Sequence, residues 1–169
     1  MTHTLPLLVS LKMDDNAFAH FNALRTKHFP PAKNRFEAHI TLFHWLPGDQ
    51  KSTILADMQT LADQHAPFTL QVMDVWRLKN GVAYRLESDI AQQIYRDLRQ
   101  RWHEWMEPEE QQRPFIPHIT VQNKVEPEEA KALCETLTAR FQPSTIHAVG
   151  LDMWELRDGM WVFEQTVHF

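Results

Sequence analysis

Residues 36–45 read FEAHITLFHW, and residues 115–124 read FIPHITVQNK. Both hold His-Ile-Thr followed by an apolar residue, among the β-branched and aromatic side chains that favour strands. Side chains alternate faces along a strand, so His39 and Thr41 share one face and Ile40 and Leu42 the other. His118 and Thr120 share a face in the same way, opposite Ile119 and Val121. A single His-x-Thr is commonly two polar residues on a half-buried strand. Two copies in like contexts, at positions 39 and 118, point to a shared task.

Two imidazoles facing each other suit acid–base chemistry at neutral pH, one taking a proton while the other gives one. Two hydroxyls beside them can donate hydrogen bonds to non-bridging phosphate oxygens. Such a set can cleave or form a phosphodiester by in-line displacement without a metal. Each proton-transfer group contributes roughly 10²–10⁴-fold, and stabilisation of the charged intermediate supplies much of the rest.

Outward from the motifs, the pattern predicts a strand over 5–13 and a helix over 17–28, capped by Asp14, Asp15 or Asn16. The first motif strand covers 35–45. A turn at Pro47-Gly48-Asp49 leads to a helix over 50–65 and a strand over 68–78. Asn80-Gly81 predicts a hairpin turn into a return strand over 82–87. A third helix covers 90–106 and a polar loop 107–113. The second motif strand covers 115–123, a helix with acids in its first turn runs to about residue 141, and strands follow over 145–156 and 160–169. Each half therefore holds helix, motif strand, helix, strand and strand. That repeat predicts one domain, 1–169, of two structurally repeated lobes related by a pseudo-two-fold, with the motif strands facing across a central cleft.

Composition bounds the partners. With 43% hydrophobic residues, six Trp and ten Phe, the chain can fill a core and is no candidate for disorder. A net charge of −5 argues against a broad grip on long nucleic acid but not against a nucleotide or RNA end in a local pocket. The single Cys134 excludes an intramolecular disulfide and a multi-cysteine zinc site. It falls in a predicted helix, where a buried, inert thiol is expected. The apolar run over 5–11 lacks a basic lead-in and reads as a strand rather than a signal peptide. No apolar run approaches the ~18 residues that span a bilayer. A cytoplasmic protein, expected to be monomeric and without membrane association, follows.

The pair His-Ile-Thr-Leu and Pro-His-Ile-Thr-Val, in this order of elements, resembles the 2H phosphoesterase superfamily, which includes the bacterial 2′-5′ RNA ligases. The block His-Ile-Thr-Leu-Phe-His-Trp-Leu-Pro-Gly resembles the RNA ligase-like branch in particular. The resemblance covers essentially the whole chain. It implies a bilobal α+β fold, two antiparallel sheets flanked by helices around a central cleft, with no required metal and no cofactor. It implies hydrolysis of 2′,3′-cyclic phosphate ends of RNA or cyclic nucleotides to 2′-phosphates, with reversible 2′-5′ ligation as the reverse chemistry. His39 and His118 map to the proton-transfer pair, provisionally base and acid, and Thr41 and Thr120 to the phosphate contacts. The family often carries an Arg after the second motif. Here Gln122, Asn123 and Lys124 follow, and Lys124 takes that place if the strand stays regular. Two rivals stand beside this reading: a catalytically silent nucleotide- or RNA-binding module on the same fold, and a phosphodiesterase for a non-RNA cyclic phosphate.

Phe43 and Trp45 keep the parity of His39 and Thr41 and are candidates to stack on a base, against ordinary packing between lobes. Arg35 and Arg113, just before the motifs, are candidate phosphate contacts, against solvated surface charge. His44 falls on the opposite face by parity, and no acid lies inside either motif, so no metal site is expected. Trp76, Trp102, Trp105, Trp154 and Trp161 read as core. The remaining histidines read as surface or packing residues.

Overall fold

In the computed structural model, which describes residues 4–169, seven antiparallel strands form one continuous sheet. The strands are β1 (Leu7–Met13), β2 (Ile40–Leu46), β3 (Phe68–Leu78), β4 (Gly81–Glu87), β5 (His118–Gln122), β6 (Ser144–Arg157) and β7 (Met160–His168). Five helices join them: α1 (Asp15–His28), α2 (Lys51–Ala62), α3 (Asp89–Trp102), α4 (Pro108–Gln112) and α5 (Pro127–Arg140). Asp14 caps α1 by accepting from the Ala17 amide, and Ser88 caps α3 by accepting from Ala91.

The long strand β6 joins the halves. Its second part pairs with β1 on one edge and β7 on the other, and its first part pairs with β3. The order β2-β1-β6-β3-β4-β5 follows, with β7 also on β6. The expectation of two separate sheets is thereby corrected, because one strand of 14 residues is long enough to serve both halves. The motif strands β2 and β5 end the sheet at opposite sides, yet they come within 8 Å of each other, Cα to Cα. The sheet therefore curls until its two ends meet.

The core lies between this curled sheet and the helices. Leu7, Ile40, Ile54, Leu70, Ile94, Trp102, Ile119 and Leu151 are fully buried in it. The helices cross over between halves. α1 packs against β5, and α3 sends Tyr95 and Trp102 against Phe43 of β2. Each motif strand is thus buttressed by a helix from the other half of the sequence.

Several boundaries move from their predicted places. β2 begins at Ile40, so residues 35–39 precede the strand, and β5 covers only His118–Gln122. Pairing of β1 with β2 slips between Leu7 and Val9 and again between Val9 and Ser10. Two bulges on β2 bury Leu42 and Phe43 in succession and break the simple alternation. α3 stops at Trp102, a single 3-10 turn follows at His103–Trp105, and the expected polar loop contains α4, which starts at Pro108. Cys134 is only half-buried, in contact with Thr138, rather than enclosed in the core.

Candidate active site

Both motif histidines are held by the same local device. His39 Nδ1 lies 2.7 Å from the carbonyl of Glu37, and His118 Nδ1 lies 2.8 Å from the carbonyl of Ile116. A carbonyl only accepts, so in each ring Nδ1 carries the proton. Nε2 is left as the free nitrogen, able to take a proton when the ring is neutral and to give one when it is charged. Aromatic neighbours fix the planes. Phe36 stacks on His39 with centroids 3.8 Å apart, and Trp76 meets His118 edge to face at 5.4 Å.

The two motifs combine crosswise. One cavity of about 310 Å³ is lined by His39 and Thr120, and a second of about 310 Å³ by Thr41 and His118. Each cavity takes its histidine from one motif and its threonine from the other. Arg35 and Lys124 line the first, and Arg113 and Phe43 line the second. The two ends of the curled sheet bring these groups together, although they are remote in sequence.

His39 is pushed down to about 4, first by burial, then by the charges of Arg25 and His118, with the hydrogen bond to Glu37 opposing. Its ring keeps a partly exposed edge towards the cavity. At neutral pH the ring is uncharged.

Arg25 is the residue that the sequence reading missed. It sits on α1, is only 5% exposed, and donates from Nη1 to the Thr120 carbonyl at 3.0 Å and from Nε to Asn34 Oδ1 at 2.9 Å. Its guanidinium lies 4.4 Å over the Phe29 ring. Burial draws it down to about 10, still charged at neutral pH. Nothing in the pattern of a surface helix marks one arginine as turned inward. The only signal was its place on the apolar face with Phe18 and Phe21.

Other expectations change. Phe43 is 3% exposed and stacks on Tyr95 at 4.9 Å, so it floors its cavity as a packed core residue. Trp45 adopts φ 59° and is 57% exposed, edge-on to Trp161 at 5.9 Å, which takes it out of the parity of His39. Lys124 also departs from strand parity, with φ 62°, yet lines the His39 cavity. His44 lies in the cavity of Thr41 and His118, paired with Glu110 at 2.8 Å, because the bulges cancel the parity argument. Trp76 and Trp161 are cavity walls rather than core. Among the described residues no three His, Cys, Asp or Glu side chains are grouped to hold a metal ion, and no helix is long and apolar enough to cross a membrane.

An antiparallel sheet, flanked by helices, thus curls to bring two His-x-Thr strands together, and the family match and the similar folds make this a phosphoesterase-type enzyme. Residues 13–159 match the family model of the 2′-5′ RNA ligase superfamily, and the chain belongs to that superfamily. A protein of Oceanobacillus iheyensis named as a phosphoesterase is 28% identical over 134 residues, covering 76% of this chain and 74% of its own. The fold is similar to that of the Thermus thermophilus protein TT0787, with TM-score 0.66 and 18% identity over 97% of this chain and 96% of that one. It is also similar to E. coli LigT complexed with NADP+, with TM-score 0.63 and 18% identity over 99% of each chain.

Proposed function

We propose that the chain opens 2′,3′-cyclic phosphate ends of RNA, or of cyclic nucleotides, to 2′-phosphates without a metal, with 2′-5′ ligation as the reverse direction. His39 Nε2 takes a proton from a water molecule, whose oxygen attacks phosphorus. The bond from phosphorus to O3′ breaks in line, and His118 Nε2 gives that oxygen its proton. Thr41 and Thr120 donate to the non-bridging oxygens, where charge accumulates. Arg35, Arg113 and Lys124 contact the flanking substrate. The reading takes residues 1–169 as one cytoplasmic, monomeric domain of two repeated lobes.

One observation carries this: the crossed cavities, each pairing a histidine of one motif with the threonine of the other. The order of roles rests on His39, uncharged at neutral pH with Nε2 free. The nucleotide named with E. coli LigT accords with a phosphate-bearing substrate.

The test is incubation, in EDTA, with an oligoribonucleotide ending in a 2′,3′-cyclic phosphate, followed by phosphorus NMR. The expected product is a 2′-phosphate, absent with His39→Ala and with His118→Ala. No turnover of this substrate or of mononucleotide cyclic phosphates overturns the reading in favour of a silent binding module or a different phosphodiester.

A further inference from the structure

Taking the proposed function as its ground, we infer that the His39 cavity binds a second phosphate of the substrate, so that the preferred substrate carries two phosphates rather than one. The two cavities differ in chemistry. Arg25, Lys33, Arg35 and Lys124 line the cavity that His39 shares with Thr120, and no carboxylate lines it; a separate cavity of about 250 Å³, also bordered by His39, holds Asp15, Glu37 and Asp152 beside Lys12 and does not suit an anion. None of these four cations is ion-paired with a carboxylate among the described residues. Arg25 is nevertheless buried. A buried charge with no counter-ion is costly unless an anion completes it. Lys33 is anchored over the site by donating to the Lys124 carbonyl at 3.0 Å.

This concentration runs against a net charge of −5. A cyclic phosphodiester carries one negative charge, which four cations exceed. The His118 cavity has one arginine, Arg113, against four cations on the other side, and its walls are mainly aromatic: Tyr95 stacks between Phe43 and Phe115 at 4.9 and 4.5 Å, Trp76 stands beside His118, and Glu110 is engaged with His44. Phe43 and Tyr95 are buried in that stack, while Trp76 and Phe115 are partly exposed on the cavity and offer a face to a base. The further phosphate therefore belongs on the His39 side, where lysine and arginine give charge-assisted hydrogen bonds.

The experiment compares adenosine 2′,3′-cyclic phosphate with its 5′-phosphorylated counterpart as substrates, and adenosine 3′-monophosphate with adenosine 3′,5′-bisphosphate by calorimetry. The wild type is expected to favour the two-phosphate member of each pair by about tenfold, as one charge-assisted contact supplies. The Lys33→Ala/Arg35→Ala double variant brings both ratios to within about twofold. Equal kcat/KM and equal binding in the wild type overturn the inference and leave the phosphoesterase reading intact. A preference that survives in the double variant overturns the assignment to this cavity. A binding preference without turnover of either substrate overturns the phosphoesterase reading and retains the second phosphate site.

Discussion

The Arg25 guanidinium on α1 donates to the Thr120 carbonyl at 3.0 Å, tying a helix of the first half to the second motif strand. The same side chain holds Asn34 and lies over Phe29. Arg25→Ala removes two hydrogen bonds made by a charged group, each worth about 1.5 kcal/mol or more. The expected loss is about 3 kcal/mol in urea unfolding, with a lower kcat/KM. Arg25→Lys keeps the charge but not the fork, so it recovers stability only in part. Wild-type stability in Arg25→Ala would show that the contact is idle.

The two histidines are expected to be separable from stability. Both rings keep partly exposed edges on a cavity, so His39→Ala and His118→Ala should fold with near-normal melting temperatures. Each should lower kcat by about 10²–10⁴-fold. A variant that keeps its fold and its rate removes that histidine from the chemistry.

The pH dependence follows from His39, lowered from 6.5 to about 4, chiefly by burial. Between those values the unfolded chain binds a proton that the folded ring refuses. Wild-type stability should therefore fall as pH drops from 6.5 to 4, and be unaffected by this group above 6.5. His39→Gln should show a flatter profile over the same window in urea titrations. If His39 is the base, the acidic limb of kcat/KM should lie near pH 4. A limb near 6.5 would mean that the catalytic base is not a histidine depressed by burial.

Much of this was legible in the sequence, and the exceptions share a cause. The paired His-Ile-Thr strands, the cap at Asp14 and the Asn80-Gly81 hairpin are local signals, and the structure retains them. Tertiary terms were not visible. Nothing local shows that β6 is shared by both halves, or that its length makes two expected sheets one. The parity arguments for His44 and Trp45 assumed a regular strand, and they failed where β2 bulges against β1 and Trp45 turns left-handed. Arg25 was invisible because inward charge on a helix is decided by what lies opposite, here the Thr120 carbonyl.

Phe43 separates packing from binding. It is buried against Tyr95 and Trp102 while also flooring the His118 cavity. Phe43→Ala should cost about 3–5 kcal/mol, the range for an aromatic lost from a core. Phe43→Leu should cost less and leave KM nearly unchanged. A large KM effect with little loss of stability would favour base stacking over packing as the role of Phe43.

Gly81, the first residue of β4, controls the second motif strand. A Cβ there would stand 1.9 Å from the Gln122 carbonyl oxygen and 2.7 Å from the Asn123 Cα, both backbone atoms of the segment following Thr120. Backbone cannot yield as a flexible side chain does, so β5 must move away from β4. That shift would carry His118 and Thr120 with it, because both pair directly with β4, at Arg85 and Ala83. Gly81→Ala is therefore expected to reduce kcat/KM by at least about tenfold, since small misplacements of reacting groups cost that much or more. It should also lower the melting temperature and release the amide protons of β5 to faster exchange. Unaltered exchange in β5 together with normal activity would mean that the turn accommodates the methyl group, and that the position of His118 is set by α1 and not by β4.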